Sequence, residues 1–432
     1  MGLNIKAVAE LTGVPLHTLR AWERRYGIPR PDRNAENRYR LYDDQDIADV
    51  LWMKRQVEAG VSPAQASAML RQTQRGTLLA PAPTLAPTPI QAHVNALYDA
   101  AVALDEAAMQ RVLNQVWSTF APEQVIVDVL QPTLRRIGDS WQRNLLSVEQ
   151  EHFASNLIRQ RLHAMIQAHI TPPLTAPRLV AACAPEEQHD IGLLMLTYLA
   201  KQHGWNVTYL GQRTPLDELN KASAHARYIV LSVTTVTGLA SLLPLWVEKL
   251  PHAPILFGGE IFNVAPRLRE HVPGAYLGED AVAAMRNLTT RAPRMLEWKP
   301  DATQLDAAFE LQALRLQVTA DAVTHFMGRL KAKTDTYDES RATMTQAALF
   351  LTDMVSCALA FDIPELMDVE GMWLYDLLTP RQVPAPVLHQ FLNLYGASAK
   401  RFLSKASAKM IHALVMRFDA AAQAQSASVR AA

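Results

Sequence analysis

Three groups of residues have the types and spacing to do chemistry. In the run Ala184-Pro185-Glu186-Glu187-Gln188-His189-Asp190-Ile191-Gly192, an imidazole stands two residues after a carboxylate. Imidazole is a good ligand for a transition metal, and a nearby carboxylate orients its other nitrogen and increases its basicity. His189 is therefore a candidate ligand and Glu187 its candidate partner, while Gly192 would let backbone approach closely where the next helix starts. A second group is Trp141 with Glu151-His152. Ser147 and Gln150 fit a capping box, which puts Glu151 and His152 in the first turn of one helix and Trp141 at the end of the preceding one. Two helix ends meeting in this way aim an indole, a carboxylate and an imidazole at one place. Taken alone, Trp141 also fits a core residue, and Glu151 a favourable charge at a helix N-terminus. The third group is basic. Seven arginines (20, 24, 25, 30, 33, 38 and 40) stand between Pro15 and Arg40 against Glu23, Asp32 and Glu36, a local charge of +4.

That patch must act locally, because the 432-residue chain has 42 Lys+Arg against 42 Asp+Glu and a net charge of zero. An apolar fraction of 49% and a charged fraction of 19% belong to a globular protein, and the length holds two to four domains. Two cysteines, Cys183 and Cys357, cannot build a disulfide framework. Neither a signal peptide nor an uncharged apolar run of membrane-spanning length is evident, so a cytoplasmic protein with no membrane partner is expected.

The elements that must position these groups follow from periodicity. Residues 1–75 read as short helices around a non-helical stretch, Pro29 to Tyr42, with Gly13 and Pro15 marking the turn of a helix-turn-helix. Residues 76–90 are rich in Pro, Ala and Thr and read as a linker. Apolar residues three and four apart run through 91–172 and predict a helical bundle. Over 177–292, the short apolar runs LVAACA, WNVTYLG, YIVLSVTT, PILFGGE and AYLGED alternate with helical stretches. They predict a doubly wound parallel α/β sheet whose ligand crevice lies beyond the carboxyl ends of the strands, where His189 falls. Residues 304–424 are helical again, and the apolar segment MTQAALFLTDMVSCALAFDIPELM needs a packing partner.

The order of residues then carries resemblances. Residues 5–70, with Leu19-Arg20-Ala21-Trp22-Glu23-Arg24 and the Arg38-Tyr39-Arg40-Leu41-Tyr42 wing, resemble the winged-helix DNA-binding domain of the MerR regulators. This implies operator DNA as partner, a dimer or higher homo-oligomer, and contacts from Arg20, Arg24, Arg38, Tyr39 and Arg40. Guanidinium groups suit phosphates and guanine edges, and tyrosine hydroxyls, Tyr42 included, suit phosphate. The turn at 187–192 resembles the D-x-H-x-x-G signature of cobalamin-binding domains, with Glu187 in place of the usual aspartate. Tyr209-Leu210-Gly211, Ser232, Thr234 and Gly258-Gly259 resemble that family's other markers, in order. The resemblance implies that His189 ligates cobalt from below and that the Ser/Thr and Gly-Gly elements make room for the displaced nucleotide tail.

The bundle resembles the helical cap above cobalamin, and the Trp141 to Glu151-His152 spacing resembles light-sensing cobalamin regulators of the CarH and LitR type. There the tryptophan and acidic residue contact the adenosyl group of adenosylcobalamin, which holds a tetramer on its operator until light breaks the cobalt–carbon bond. One departure is Gln142, where the best-known members have the histidine that captures cobalt after photolysis. A light-independent cobalamin sensor and a corrinoid methyl carrier remain alternatives; the first 75 residues argue against the carrier, which would not need them. Residues 304–424 faintly resemble globin-like helices of phycobilin-binding proteins. They are expected to form an oligomerisation domain or a second sensor, with His325, His389 and His412 as candidate contacts to a haem or bilin.

Overall fold

The computed structural model describes residues 89–169, 172–173, 175–248, 253–290, 294–329, 337–369 and 385–431, together with 5–26, 28–29, 32–33, 40–42, 44–58, 63, 67 and 70 near the amino terminus. Residues 1–88 and 89–432 form two compact units. The linker expected over 76–90 lies outside the described residues except for its last two, which already begin a helix.

In the first unit, α1 (Ile5–Thr12) ends at Gly13, whose φ of 63° reverses the chain into α2 (Leu16–Tyr26). The two-residue strands β1 (Asp32–Arg33) and β2 (Arg40–Leu41) pair antiparallel as a small wing before α3 (Asp44–Glu58). Val8, Leu19, Trp22, Val50 and Met53 form its buried core.

The second unit opens with four helices. They are α4 (Pro89–Val102), α5 (Glu106–Thr119), α6, and α7 (Val148–Gln167). α6 runs from Pro122–Gln124 through a π-helical turn at Val125–Leu130 into Gln131–Gln142. Pro132 explains the widening: it has no N–H to donate, and its ring crowds the carbonyl four residues earlier. The capping box is present at the start of α7, where Ser147 N donates to Gln150 Oε1 at 2.9 Å and Gln150 N to Ser147 Oγ at 3.4 Å.

All five predicted strands form, as β3 (Arg178–Cys183), β4 (Asn206–Gly211), β5 (Tyr228–Ser232), β6 (Ile255–Gly258) and β7 (Ala275–Tyr276). The parallel sheet has the order β4-β3-β5-β6-β7. Strand direction of connection reverses between β3 and β5, which opens the ligand crevice there. Helices α8 (Ile191–Gln202), α9 (Leu216–Ala222), α10 (Val236–Ser241) and α11 (Ala281–Thr290) lie among the strands. Alternation along each strand divides the core. Leu179, Ala181, Cys183, Val230 and Leu256 pack in one cluster with α8, α11 and the four-helix cap. Val180, Ala182, Ile229, Leu231 and Phe257 pack in the other.

That second cluster continues into the C-terminal helices α12 (Ala302–Ala313), α13 (Arg315–Arg329), α14 (Tyr337–Ala360), α15 (Ala385–Phe402) and α16 (Lys405–Ala431). These helices were expected as a separate domain, yet they share one apolar core with the sheet. Cys357 Sγ approaches Val236 O at 3.7 Å, His271 Nδ1 lies 2.7 Å from Phe361 O, and Arg267 pairs with Glu365 at 2.6 Å. The stretch Arg341–Ala360 has the length and hydropathy to cross a membrane, but more than half of it is buried by its neighbours and it carries Asp353 inward. It is the central helix of this layer.

Candidate functional site

The crevice between β3 and β5 is organised by one carboxylate. Glu187, in the loop leaving β3, is fully buried and accepts six hydrogen bonds. On one side, Oε1 takes Gln188 N and His189 N at 3.0 Å each and lies 2.6 Å from His189 Nδ1. On the other, Oε2 takes Thr234 N at 2.8 Å, Thr235 N at 2.9 Å and Thr235 Oγ1 at 3.1 Å. Burial pushes the Glu187 carboxyl up, but the bonds and charge of His189 and the Thr234 N–H outweigh it and hold the group down at about 2. The extra methylene of glutamate thus spans from the β3 loop to the start of α10. Gly238 in α10 makes the approach feasible, since a Cβ there would stand 2.8 Å from Glu187 Oε2.

His189 is held by the same contact. Its hydrogen bond to Glu187 raises its pKa, burial opposes, the Glu187 charge adds, and the Glu151 carboxylate raises it further while Arg159 lowers it. With Nδ1 committed to Glu187, Nε2 is the ring nitrogen open to a metal, and the side chain is 64% exposed. Next to it, Asp190 is buried and takes Arg159 Nε from α7 at 2.8 Å on Oδ1 and the Tyr209 hydroxyl from β4 at 2.8 Å on Oδ2. This ties the cap to the sheet directly beside the imidazole. Cys183 lies beneath, with its thiol pushed up by burial and by Asp190 and Glu187, so it stays protonated and offers no thiolate.

Glu151 and Arg159, eight residues apart on α7, both act on His189 from the cap. Glu151 Oε2 lies 3.6 Å from His152 Nε2, and the His152 side chain is 68% exposed. Trp141, half-buried at the end of α6, packs against the apolar cluster of the cap. At the carboxyl edge of the sheet, Cys183, Ser232 and Gly258 stand in one row. Thr234 contributes its N–H to Glu187, Leu210 packs on the cluster shared with the C-terminal helices, and Gly211 has a φ of 86°.

The glycines differ in what surrounds them. A Cβ on Gly192 meets no atom within 4 Å, so no protein backbone presses on it. On Gly258 the nearest atom would be 3.9 Å away, which leaves the strand end bare. Gly259 is required by the protein itself: its φ is 124° and a Cβ would stand 2.1 Å from Val233 O.

Among the described residues, no group of three or more His, Cys, Asp or Glu could cage a metal ion. A single oriented imidazole suits a metal that brings its own equatorial ligands, as cobalt does in a corrin ring. The bare end at Gly258 and the open space at Gly192 leave room beside it. The donor set therefore fits the group that the sequence implied.

In the amino-terminal unit, Arg20 and Arg24 are exposed one turn apart on α2, opposite the buried Leu19 and Trp22. Arg40 is exposed and pairs with Glu23 at 2.7 Å, joining the wing to α2. Arg38 and Tyr39 lie outside the described residues. Tyr42 was expected to offer its hydroxyl to phosphate, but it is fully buried with the hydroxyl 3.3 Å from Glu23 Oε2, and burial and Glu23 push it up to about 12. It is a core residue, because its ring fills the space between wing and helices.

Of the C-terminal histidines, His389 Nδ1 is 2.6 Å from Asp419 Oδ2 and His325 Nδ1 is 2.8 Å from Asp321 O. Sequence reasoning missed Arg159, Asp190 and Thr235, whose partners lie 31, 19 and 48 residues away along the chain. Only the acidic residue beside His189 was a signal.

Comparison with known proteins covers the amino-terminal unit, the helical cap and the parallel sheet. Residues 3–73 match the MerR HTH family regulatory protein model, and residues 94–165 and 177–286 each match a B12 binding domain model. The chain is 35% identical over 284 residues to the HTH-type transcriptional repressor CarH of Myxococcus xanthus, covering 62% of this chain and 94% of that protein. It is 32% identical over 265 residues to CarA of the same organism, covering 60% and 87%. A solved structure of the Methanosarcina barkeri monomethylamine corrinoid protein aligns with a TM-score of 0.40 and 18% identity, over 46% of this chain and 99% of that one.

Proposed function

We propose, from the premise that the chain belongs to the family of MerR-type transcriptional regulators with B12-binding domains that includes CarH and CarA, that it is a light-responsive repressor using adenosylcobalamin. It is a regulator and not an enzyme, as those relatives are. The observation that carries the cofactor reading is the Glu187–His189 contact, which presents one oriented imidazole nitrogen at the mouth of the parallel sheet.

In this reading His189 Nε2 would hold the cobalt of the cofactor, and Glu187 keeps the proton on Nδ1. Cobalamin, when bound, supplies an adenosyl group on a light-sensitive cobalt–carbon bond. Trp141, Glu151 and His152 line the space that the adenosyl group fills and exclude water from it. Gly192, Tyr209, Leu210, Gly211, Ser232, Thr234, Gly258 and Gly259 border the lower side, where the nucleotide tail is accommodated. A ligand shifts an assembly only through unequal affinity for two states. Loss of the upper group would remove its packing against α6 and α7 and so loosen the cap, which the shared apolar core and the Arg159–Asp190 contact also hold to the sheet. Gln142 is an amide and a poor cobalt ligand, so capture of the metal by a side chain at that position is not expected, and a different residue or water would take that place. Arg20 and Arg24, with Arg38, Tyr39 and Arg40 from the wing, contact operator DNA, and the repressor acts as a dimer or tetramer.

The test is a dark and light comparison of the purified protein with adenosylcobalamin, by size exclusion and by gel shift on its operator. The expected result is a larger, DNA-retaining assembly in the dark and its loss on illumination. Identical behaviour in both conditions would leave a cobalamin sensor that does not read light.

A further inference from the structure

The C-terminal helices form a partly open apolar cavity, with exposed Thr343 and half-buried Met344 and Ala347 among its lining residues, that the cobalamin site does not use. It lies between α14, α15 and α16, measures about 90 Å³, and is lined by Met344, Ala347, Met354, Leu388, Phe391 and Phe418 among others. Of its eleven lining residues only Thr343 carries a polar side chain. Protein interiors are packed to the density of organic crystals, and an unfilled void forfeits the dispersion contacts of its walls. Apolar cavities of roughly 150 Å³ stay dry and accept benzene. Here the walls offer no charge to pair with an ionic ligand, and the space is far too small for a haem or a bilin. At about 90 Å³ it is smaller than those benzene-binding cavities, so it fits a short alkyl chain as it stands and a single aromatic ring once the flexible Met344 and Met354 side chains give way.

The helix that forms one wall also meets the cobalamin-binding half. On an adjoining stripe of α14, Cys357 Sγ lies 3.7 Å from Val236 O in the first turn of α10. Asp353, one turn earlier, is buried against Gln312 at 3.0 Å and Arg315 at 3.1 Å, touches Thr237 of α10 and feels the charge of Glu186. The residues at the start of α10, Thr234 and Thr235, hold Glu187 Oε2, and Glu187 holds His189. From wall to imidazole the contacts are continuous. We propose that this cavity is a binding site for a small uncharged apolar molecule, and that its occupancy alters cobalamin affinity through α14, α10 and Glu187. The coupling rests on the cobalamin reading above; the binding site does not.

Toluene serves as the probe, with the full chain in the dark. Calorimetric titration without cobalamin should show saturable binding at one site per chain. Ala347→Leu, which fills the cavity, should weaken it at least tenfold while the chain melts no lower than the parent. Met354→Ala, which enlarges the cavity, should retain toluene and admit a larger alkylbenzene. Hydroxocobalamin titrated with and without saturating toluene should show at least a twofold change in Kd, absent in Ala347→Leu. No saturable toluene binding by parent and Met354→Ala alike, or undiminished binding by Ala347→Leu, overturns the site. An unchanged cobalamin Kd overturns the coupling. A chain that takes toluene but no corrinoid at all supports the site and instead refutes the cobalamin reading.

Discussion

Replacing Glu187 by Gln preserves the shape of the side chain but removes its charge and half its acceptor capacity. Whichever way the amide turns, its NH2 end must face three donors, either Gln188 N, His189 N and the imidazole, or Thr234 N, Thr235 N and Thr235 Oγ1. The carboxyl sits at about 2 in the folded protein against 4.5 ordinarily, which corresponds to stabilisation on the order of 3 kcal/mol at neutral pH. Because the folded value is the lower one, this contribution is complete above the unfolded value and is lost as pH falls through the folded one. Glu187→Gln should therefore unfold more easily in urea at pH 7 by about 3 kcal/mol, followed by tryptophan fluorescence. The gap should narrow by roughly 1 kcal/mol on going to about pH 3.5. Cobalamin affinity should fall by roughly 10- to 100-fold, the usual cost of losing a ligand's orienting partner. Glu187→Asp should keep the hold on His189 but lose the reach to Thr234 and Thr235. A Gln variant within 1 kcal/mol of the parent at pH 7, or a gap indifferent to pH, would refute the reasoning.

Four other outcomes are expected. His189→Ala should lose the spectrum of an imidazole-ligated corrinoid, read by absorbance, while circular dichroism stays that of the parent. Gly259→Ala places a Cβ 2.1 Å from Val233 O at a φ of 124°, and should lower the melting temperature or prevent folding, with destabilisation above roughly 3 kcal/mol. Arg159→Ala leaves the buried Asp190 carboxylate with the Tyr209 hydroxyl but without its cation, and should cost about 2 to 3 kcal/mol and raise proteolysis of the cap. Arg20→Ala and Arg24→Ala should each weaken operator binding and reduce the slope of log K against log salt by about 1, provided each meets a phosphate.

What could be read along the chain was local. The five strands, the capping box at Ser147 and Gln150, the reversal at Gly13 and the pairing of Glu187 with His189 all follow from neighbours a few residues apart. Period two or 3.6 and the preferences of glycine and proline are properties of short segments, so a sequence displays them directly. The apolar excess of the C-terminal helices was equally visible, as a demand for cover.

Only the folded chain decided what supplied that cover and how far each polar group reached. Tyr42 lies inside because α1, α2 and the wing converge on it, and nothing in its neighbours separates that outcome from an exposed hydroxyl. Arg159 meets Asp190 across 31 residues, Glu187 meets Thr235 across 48, and Cys357 meets Val236 across 121. Such pairs are chosen by the packing of whole layers, and loop closure over those lengths is compensated by burial spread across the core rather than by the pair itself. The types of the groups are written in order along the chain; their partners exist only where the sheet, the cap and the last five helices come together.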